Sequence, residues 1–506
     1  MNLDMPRCYQ ALLTHDAPFD GIFFVGVSTT RIYCRTVCAA RTPRPDRGAF
    51  YPSAAATEQA GFRPCLRCRP ELAPGLSRFD SGDQLAAAAA ARIEAGALTE
   101  GGAAGLAADM GISERHLRRV IAREFGVSPV QLAQTQRLLL AKRLLTDTNL
   151  PIGEVAFASG FSSLRRFNAL FQERYRLNPT AQRRARPSGP PETLACEVAY
   201  RPPLDWDALL AFLAGRAAQG VEALDGHRYL RTARLGESRG WIMVEPIAER
   251  PTLRVTLSAS LAPVLRPALA RVRHLFDLQA DPLTIAAHLG SLADAHPGLR
   301  VPGAFDGFEM AVRAVLGQQV SVRAASTLAA RVASALGEPL LTPFASLTHL
   351  PPTPDQIAAA RPEDLIALGI IPARAHSILA LAHAVKSGLI SLEPGGDPEE
   401  TMTRLRSLPG IGDWTAQYVA LRALAWADAF PHTDLGIRKA LGGSPPKRLL
   451  EIAERWRPWR SYAAMHLWKS LERPSLHARY IRNTRRRPSE LLHLFRQPPS
   501  VAAADL

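Results

Sequence analysis

The chain has 506 residues, of which 47% are hydrophobic and 21% are charged, a balance typical of soluble globular proteins. This length predicts three or four domains, and the longest apolar run, residues 85–91, is too short to cross a membrane. The 61 basic and 46 acidic residues give a net charge of +15, which favours a polyanionic partner, nucleic acid before membrane. The N-terminus has no secretion signal, so we expect a cytoplasmic protein.

Two short cysteine pairs lie in the first 70 residues. Cys34 and Cys38 form the first pair, Cys65 and Cys68 form the second, and 26 residues separate them. Each pair can bind one metal ion while the chain between them closes over it, because four thiolates complete a tetrahedral shell. The spacing therefore predicts a Zn²⁺ site, for which a purely structural role is the simplest alternative.

The sequence around these pairs resembles the N-terminal zinc domain of the Ada adaptive-response family. The resemblance rests on Cys34-Arg-Thr-Val-Cys38 and on Phe62-Arg-Pro-Cys65-Leu-Arg-Cys68. It implies that a zinc-bound cysteine accepts a methyl group from a DNA methylphosphotriester, and Cys34 stands at the acceptor position. Zinc keeps the sulfur a thiolate, which is a strong nucleophile. Methylation removes one negative charge from the site, so we expect it to strengthen DNA binding.

Between residues 84 and 184 apolar residues recur at helical spacing. The segment 105–119 predicts a helix, a turn and a second helix with Ser113 as its N-cap, and the pattern recurs over 152–167. Two such units, joined by a helix over 130–145, resemble the AraC-type DNA-binding domain. The resemblance implies that the second helix of each unit enters a major groove. The expected recognition residues are Arg115, His116, Arg118, Arg119, Arg165 and Arg166.

The next part of the chain changes period. Alternating residues over 227–231, 241–244 and 253–257 predict antiparallel strands with one polar face, flanked by helices over 209–218 and 264–276. From 304 to 472 the pattern predicts only helices, with loops marked by proline and glycine.

A tight hairpin is predicted between two of these later helices. Gly410, Ile411 and Gly412 bring the backbone close to a partner, and N–H groups at the following helix N-terminus can hold a phosphate. Asp434 follows about 20 residues later. A hairpin with an aspartate at this distance resembles the helix-hairpin-helix base-excision glycosylases. From Val198 to about residue 468 the chain resembles the AlkA family of 3-methyladenine glycosylases.

This resemblance implies a catalytic role for Asp434. Glycosidic cleavage builds positive charge on the sugar, and a fixed carboxylate at a helix N-terminus stabilises that charge. An ordinary N-cap aspartate is the alternative. Superfamily members that also nick the strand carry a lysine where Trp414 stands, so we expect a monofunctional glycosylase that leaves an abasic site.

A flipped cationic base needs an electron-rich pocket. The AlkA resemblance implies that this pocket is lined by Trp414, Tyr418, Trp468 and Phe212. The family fills the gap left by the flipped base with a leucine wedge, whereas this chain has Gln319. A polar wedge is expected to stack less well against the neighbouring bases.

These resemblances predict an Ada/AlkA fusion that combines a methyl-accepting zinc domain, an AraC-type activator and a glycosylase releasing 3-methyladenine and 7-methylguanine. The expected cofactor is Zn²⁺, and the expected partners are alkylated and promoter double-stranded DNA, with RNA polymerase a further candidate. The expected location is the bacterial nucleoid. Two alternatives stay open: a transcription regulator with a non-catalytic glycosylase-like domain, and a glycosylase whose front domains only target it to DNA.

The predicted fold class is multidomain α+β. The predicted divisions are a small zinc-bound α/β domain (1–78), an all-α double helix-turn-helix domain (83–185), a linker (186–193), an antiparallel α+β sheet domain (194–290), an all-α helix-hairpin-helix domain (300–472) and a basic tail (473–506).

Overall fold

The computed structural model describes residues 3–74, 84–98, 101–183 and 192–472. The boundary between the first two predicted domains at residues 78–83, most of the predicted linker 186–193 and the basic tail lie outside these ranges. Among the described residues, no helix is both long and apolar enough to span a bilayer.

The N-terminal unit is a small sheet flanked by two helices. Its elements are α1 (Met5–Leu13), β1 (Phe24–Val27), β2 (Ile32–Cys34), β3 (Gly48–Tyr51), α2 (Ala54–Gln59) and β4 (Arg63–Pro64). The strand order is β3-β1-β2-β4, with only β2 and β4 parallel. Tyr33 pairs with Pro64, and the N–H of Cys65 donates to the carbonyl of Tyr33 at 3.0 Å. The ends of β2 and β4 therefore bring Cys34 and Cys65 side by side.

The second unit is entirely helical in its described residues. Its helices are α3 (Gln84–Ala95), α4 (Gly102–Asp109), α5 (Glu114–Phe125), α6 (Pro129–Asp147), α7 (Ile152–Ala158), α8 (Leu164–Tyr175) and α9 (Pro179–Gln182). Ser113 caps α5 as predicted, and Ser163 caps α8 in the same way. Each serine hydroxyl accepts a backbone N–H of the first turn, which fixes where the helix begins. The two helix-turn-helix units are thus α4–α5 and α7–α8.

A five-stranded antiparallel sheet with three helices follows. Its elements are β5 (Thr193–Ala199), α10 (Trp206–Ala214), β6 (Glu222–Asp225), β7 (Arg228–Leu235), β8 (Ser238–Pro246), β9 (Thr252–Ser258), α11 (Leu265–Leu275) and α12 (Pro282–Leu289). The strand order is β5-β9-β8-β7-β6. The helix predicted over 209–218 begins earlier and ends earlier, because Asp205 caps its N-terminus through the N–H of Ala208 and Gly215 ends it.

The last described unit is mostly helical, as predicted. Its helices are α13 (Gly307–Leu316), α14 (Val322–Leu336), α15 (Pro354–Ala358), α16 (Pro362–Ala367), α17 (Pro372–Lys386), α18 (Pro398–Arg406), α19 (Asp413–Arg422), α20 (Leu435–Ala440), α21 (Pro446–Ala453) and α22 (Arg460–Ser470). The expectation of helices alone missed a small antiparallel ribbon of β10 (Glu338–Pro339) and β11 (His349–Leu350). Strands of two residues are too short to show a period in the sequence.

The second helix-turn-helix unit shares one hydrophobic core with the five-stranded sheet. Leu144 of α6 and Phe167 of α8 belong to the same buried cluster as Val255 of β9, and α6 contacts β5. The first unit is joined to the same domain through α3, which packs against both α5 and α11. The helical unit and the sheet domain are therefore packed together rather than tethered.

Buried polar groups join the zinc domain to α6. Glu58 of α2 is 3% exposed. Its carboxyl oxygens accept hydrogen bonds from the hydroxyls of Tyr33 at 3.0 Å and Thr135 at 2.9 Å. Burial raises the pKa of the Glu58 carboxyl to about 7. A second contact pairs the buried Glu71 with Lys142 of α6. The N-terminal unit thus meets the helical unit through desolvated polar contacts.

Candidate functional site

The four predicted cysteine ligands converge at one end of the small sheet. Their sulfur atoms all lie within 4.8 Å of one another. A tetrahedral zinc site with Zn–S bonds of about 2.3 Å places its sulfurs about 3.8 Å apart, so the donor set fits Zn²⁺. A hydrogen bond from Cys34 is the main cause that lowers the pKa of the Cys38 thiol to about 7. The pKa of the Cys34 thiol is raised instead, chiefly by its hydrogen bond with Cys38, so the metal-free sulfurs share protons that metal binding would release.

Backbone groups also point at two of the sulfurs. The N–H of Arg35 lies 3.5 Å from the Sγ of Cys68, and the N–H of Arg67 lies 3.3 Å from the Sγ of Cys65. Such outer contacts stabilise negative sulfur. Cys34, the predicted methyl acceptor, is 8% exposed, while Cys68 is the most open of the four.

The predicted recognition residues lie on the second helix of each helix-turn-helix unit. On α5 the side chain of Arg118 is paired with Glu114, while Leu117 and Ile121 on the opposite face are fully buried. The basic face of α5 is thus turned to solvent. The exposed members of the set are Arg115, Arg118, Arg119, Arg165 and Arg166, and His116 is half-buried.

The hairpin presents its backbone at the surface and buries its central side chain. Gly410 has φ +73°, and a Cβ on it would lie 2.2 Å from the Oγ of Ser377, so glycine is required there. Gly412 is the N-cap of α19, and nothing lies within 4 Å of where its Cβ would be. Ile411 is only 5% exposed and anchors the turn. A phosphate could therefore approach the Gly412 side closely.

Asp434 is the N-cap of α20, and three N–H groups hold its carboxylate. Its Oδ1 accepts the backbone N–H of Ile437 at 3.0 Å and the indole N–H of Trp468 at 2.9 Å. Its Oδ2 accepts the indole N–H of Trp414 at 2.9 Å. The glycine at position 436 leaves room for the Trp468 ring beside Asp434, since a Cβ there would lie 3.1 Å from that ring. Such donors fix the orientation of the carboxylate.

Three of the four predicted pocket aromatics lie around this carboxylate. Trp414 and Tyr418, four residues apart on α19, stack with ring centroids 5.2 Å apart and planes 8° apart. Trp468 meets the Tyr418 ring edge-on at 6.1 Å. The sequence reasoning treated the tryptophans only as flat aromatic surfaces, whereas their N–H groups also bind Asp434.

The ring of the fourth aromatic residue, Phe212, lies close to two arginines that the sequence analysis did not predict as part of the site. The guanidinium of Arg216 lies 3.6 Å from the centroid of the Phe212 ring, and that of Arg422 lies 5.1 Å from it. Arg422 also donates to the Tyr418 hydroxyl at 3.0 Å. Burial alone would raise the pKa of Tyr418, but these two cations lower it. Each arginine follows its aromatic partner by four residues, a spacing that places helical neighbours together.

The predicted wedge, Gln319, lies exposed in the turn between α13 and α14 with φ +51°. Its neighbour Gln318 ties this turn to the hairpin. The Nε2 of Gln318 donates to the carbonyl of Gly410 and to the Oγ1 of Thr415, both at 2.9 Å. The turn that carries Gln319 is therefore held against the hairpin.

A zinc–cysteine cluster, paired helix-turn-helix units and a hairpin with a held carboxylate together define a multidomain base-excision repair protein, and domain comparisons agree. The matching families are the metal binding domain of Ada (residues 7–71), a helix-turn-helix domain (106–185), the AlkA N-terminal domain (195–306) and the HhH-GPD superfamily of base excision DNA repair proteins (312–444).

Whole-chain comparison identifies the family. A probable bifunctional transcriptional activator/DNA repair enzyme AlkA of Mycobacterium tuberculosis is 39% identical over 491 residues, covering 94% of this chain and 98% of that protein. DNA-3-methyladenine glycosylase 2 of Escherichia coli is 44% identical over 53% of this chain and 95% of its own length. The Ada activator/repair enzyme of the same organism is 45% identical over 13% of this chain and 18% of its own length.

The chain belongs to the family of bifunctional transcriptional activator/DNA repair proteins of the AlkA type. The predicted fusion of Ada-type, AraC-type and AlkA-type parts, its multidomain fold class and its zinc-binding site are confirmed.

Proposed function

We propose that this protein removes alkylated purines, chiefly 3-methyladenine and 7-methylguanine, from double-stranded DNA and also senses methylphosphotriesters to activate transcription. The observation that carries the glycosylase assignment is the carboxylate of Asp434, held by the indole N–H groups of Trp414 and Trp468 at 2.9 Å each. An N-cap aspartate needs only the backbone bond to Ile437. The two further donors fix the carboxylate beside a cluster of aromatic rings.

In the proposed reaction the glycosidic bond breaks and positive charge develops on the deoxyribose. The Asp434 carboxylate stabilises that charge, and water completes the hydrolysis. An alkylated purine is already cationic and leaves without a general acid. Because Trp414 offers no amine, no imine forms with the sugar and the strand stays intact.

The proposed base pocket combines aromatic rings that stack on the base with segments that hold the DNA around it. The ring pair Tyr418 and Trp468 offers π faces for the flipped base. The hairpin residues 410–412 would hold the phosphates, and the turn at Gln319 would enter the gap left in the duplex. Gln318 supports this arrangement because it ties that turn to Gly410.

In the sensor domain, we propose that Cys34 is the methyl acceptor. Its sulfur attacks the methyl carbon of the phosphotriester, a C–S bond forms, and the C–O bond breaks to leave a phosphodiester anion. Zinc bound by Cys34, Cys38, Cys65 and Cys68 would keep these sulfurs deprotonated. The loss of one thiolate charge would then strengthen the contact with DNA phosphates.

The exposed arginines of α5 and α8 would bind promoter DNA, and activation would require contact with RNA polymerase. Both activities use chromosomal DNA, so the proposed site of action is the nucleoid of the bacterial cytoplasm. A regulator that lacks glycosylase activity is the competing function, and the held carboxylate of Asp434 argues against it.

The test is release of free base from alkylated duplex DNA by the wild type and by Asp434→Asn. We expect free methylated purines, an intact strand, and a loss of at least roughly 100-fold in the variant's rate. DNA binding should be retained, because the hairpin is untouched. Full activity in the variant would mean that Asp434 only caps its helix. Borohydride trapping of a covalent complex would overturn the monofunctional assignment.

A further inference from the structure

A large cavity lies where the four described units of the chain meet. It has a volume of about 770 Å³. The zinc domain contributes Glu71, α6 contributes Gln136 and Arg143, and α11 contributes Arg266 and Arg273. It is separate from the cysteine cluster and from the carboxylate of the glycosylase unit, since none of their residues lines it.

Arg143 is a buried cation without a counter-ion in the described part of the chain. The residue is 2% exposed, and its Nε and Nη2 have no hydrogen-bond partner. The adjacent Lys142 is equally buried but pairs with Glu71. The carboxylate of Asp147 is engaged by Arg69, whose Nη2 donates to both oxygens at 2.8 Å. A buried charge left in this state is costly unless something pairs with it.

Charged groups of both signs surround Arg143 and line the cavity, and the lining carboxylate of Glu94 is paired with Arg273 at 2.9 Å. Burial lowers the pKa of the Arg143 guanidinium, and the nearby cations Arg273 and Arg69 lower it further, while Asp147 raises it. Arg266, which also lines the cavity, is 7% exposed, and its Nη2 donates to the carbonyl of Ile93 at 2.6 Å. An anion entering the cavity would therefore meet guanidinium groups from two domains.

Within the ranges that the structure describes, the side-chain oxygen of Gln136 is a second buried group without a partner, and a ligand would also have to satisfy it. The Oε1 of Gln136 is buried and accepts no hydrogen bond in the described residues. Gln136 and Arg143 are seven residues apart on α6, so they lie on one face, roughly 10 Å apart along the axis. A ligand that satisfies both groups needs an oxyanion at one end and an O–H donor at the other.

We propose that this junction cavity binds a small phosphate monoester that carries a hydroxyl group, with its phosphate on Arg143 and its hydroxyl donating to Gln136. Because the cavity is built from the zinc domain, α6 and α11, the occupied cavity would hold sensor, DNA-binding unit and glycosylase in one arrangement. Neither the zinc chemistry nor the glycosylase chemistry is needed for this binding, so the proposal stands apart from the proposed function.

The experiment uses the full-length, zinc-loaded protein, with inorganic phosphate and ribose 5-phosphate as probes and ribose and chloride at equal ionic strength as references. At ten times its Kd a ligand of this kind should raise Tm by about 1–2 °C. Arg143→Met should lose this shift. The exposed, matched change Arg448→Met should retain it, which excludes a general effect of phosphate on surface arginines.

The same variant distinguishes a ligand site from a structural role. If Arg143 is an uncompensated cation, Arg143→Met should be at least as stable as the wild type without phosphate, and less stable than the wild type with it. Gln136→Leu should weaken ribose 5-phosphate more than inorganic phosphate. The proposal is overturned if phosphate and ribose 5-phosphate leave the Tm of the wild type unchanged, if Arg143→Met keeps the full shift, or if that variant is destabilised equally in both buffers.

Discussion

The indole N–H of Trp414 donates to the Oδ2 of Asp434 at 2.9 Å. By the family resemblance this is the position where strand-nicking glycosylases carry a lysine. Here the position supplies a hydrogen-bond donor to the carboxylate in place of an amine that could attack the sugar. The same residue therefore accounts for two expected properties, an ordered carboxylate and the absence of lyase chemistry.

Replacing an indole with a phenyl ring tests these donors. Trp414→Phe and Trp468→Phe keep an aromatic surface but remove one N–H each. Because hydrogen bonds to charged groups contribute about 1.5–3 kcal/mol, we expect base-release rates to fall by roughly 10- to 100-fold in each variant. Single-turnover release of 7-methylguanine measures this. Trp241→Phe, in β8, is the matched control and should keep its rate; equal rates in all three variants would contradict the prediction.

The contact made by Gln318 can be broken separately. Gln318→Ala removes the two hydrogen bonds that its Nε2 donates to Gly410 and Thr415. The turn that carries Gln319 then loses its fixed distance from Gly410. We therefore expect a larger change in KM than in the rate of the chemical step. Gln319→Ala, next to it, keeps the bonds and tests the wedge alone. Kinetics on duplex and single-stranded substrates separate the two, since unpairing is needed only in the duplex.

The cysteine cluster predicts a metal content of about one zinc per chain. Cys38→Ser and Cys68→Ser should each lose zinc affinity, and chelation should lower the Tm of the wild type. Elemental analysis of purified protein measures the content. Cys196→Ala removes a thiol outside the cluster and should keep the metal; retention of zinc by both serine variants would remove the assignment.

Methyl transfer to Cys34 should change DNA affinity. One negative charge fewer beside a phosphate is expected to strengthen binding by roughly 1–3 kcal/mol at low salt. The check is a binding titration before and after reaction with methylphosphotriester DNA, with mass spectrometry to locate the methyl group. Equal affinity, or a methyl group on Cys68, which is the more exposed sulfur, would refute this assignment.

The buried carboxyl of Glu58 predicts a pH dependence of stability. Its pKa is raised from 4.5 to about 7 in the folded protein, so between these values the unfolded chain loses the proton while the folded chain keeps it. Stability therefore falls as pH rises through this window, by about 2–4 kcal/mol in total. Glu58→Gln lacks this loss, so its Tm relative to the wild type should be higher at pH 8 than at pH 5. Glu363→Gln, on the surface, should show no such trend.

Much of the architecture could be predicted from local signals. The cysteine spacing, the caps at Ser113 and Ser163 and the glycine of the hairpin each depend on a few neighbouring residues. The strands of the five-stranded sheet could be predicted because one face of that sheet is polar, so polar and apolar residues alternate along each strand. The aromatic residues near Asp434 could be predicted only through the family resemblance, since aromatic residues in helices are usually core.

Other features depend on contacts between distant segments. The pairing of Glu58 with Thr135 joins residues 77 positions apart, and the sequence pattern says only that glutamate is usually exposed. Arg216 and Arg422 come from different domains and meet at Phe212. Periodicity predicts which face of a helix is buried but not which element covers it, so neither arrangement could be deduced.

The shared core of α6, α8 and the five-stranded sheet limits how this protein can be divided or recombined. Cutting the chain between residues 183 and 192 would uncover apolar side chains such as Leu144 on one fragment and leave the β5 side of the sheet uncovered on the other. We expect either fragment to aggregate unless that face is redesigned with polar residues. For evolution the consequence is similar: a helix-turn-helix unit exchanged from another regulator would bring the wrong contact surface, so the two parts must change together.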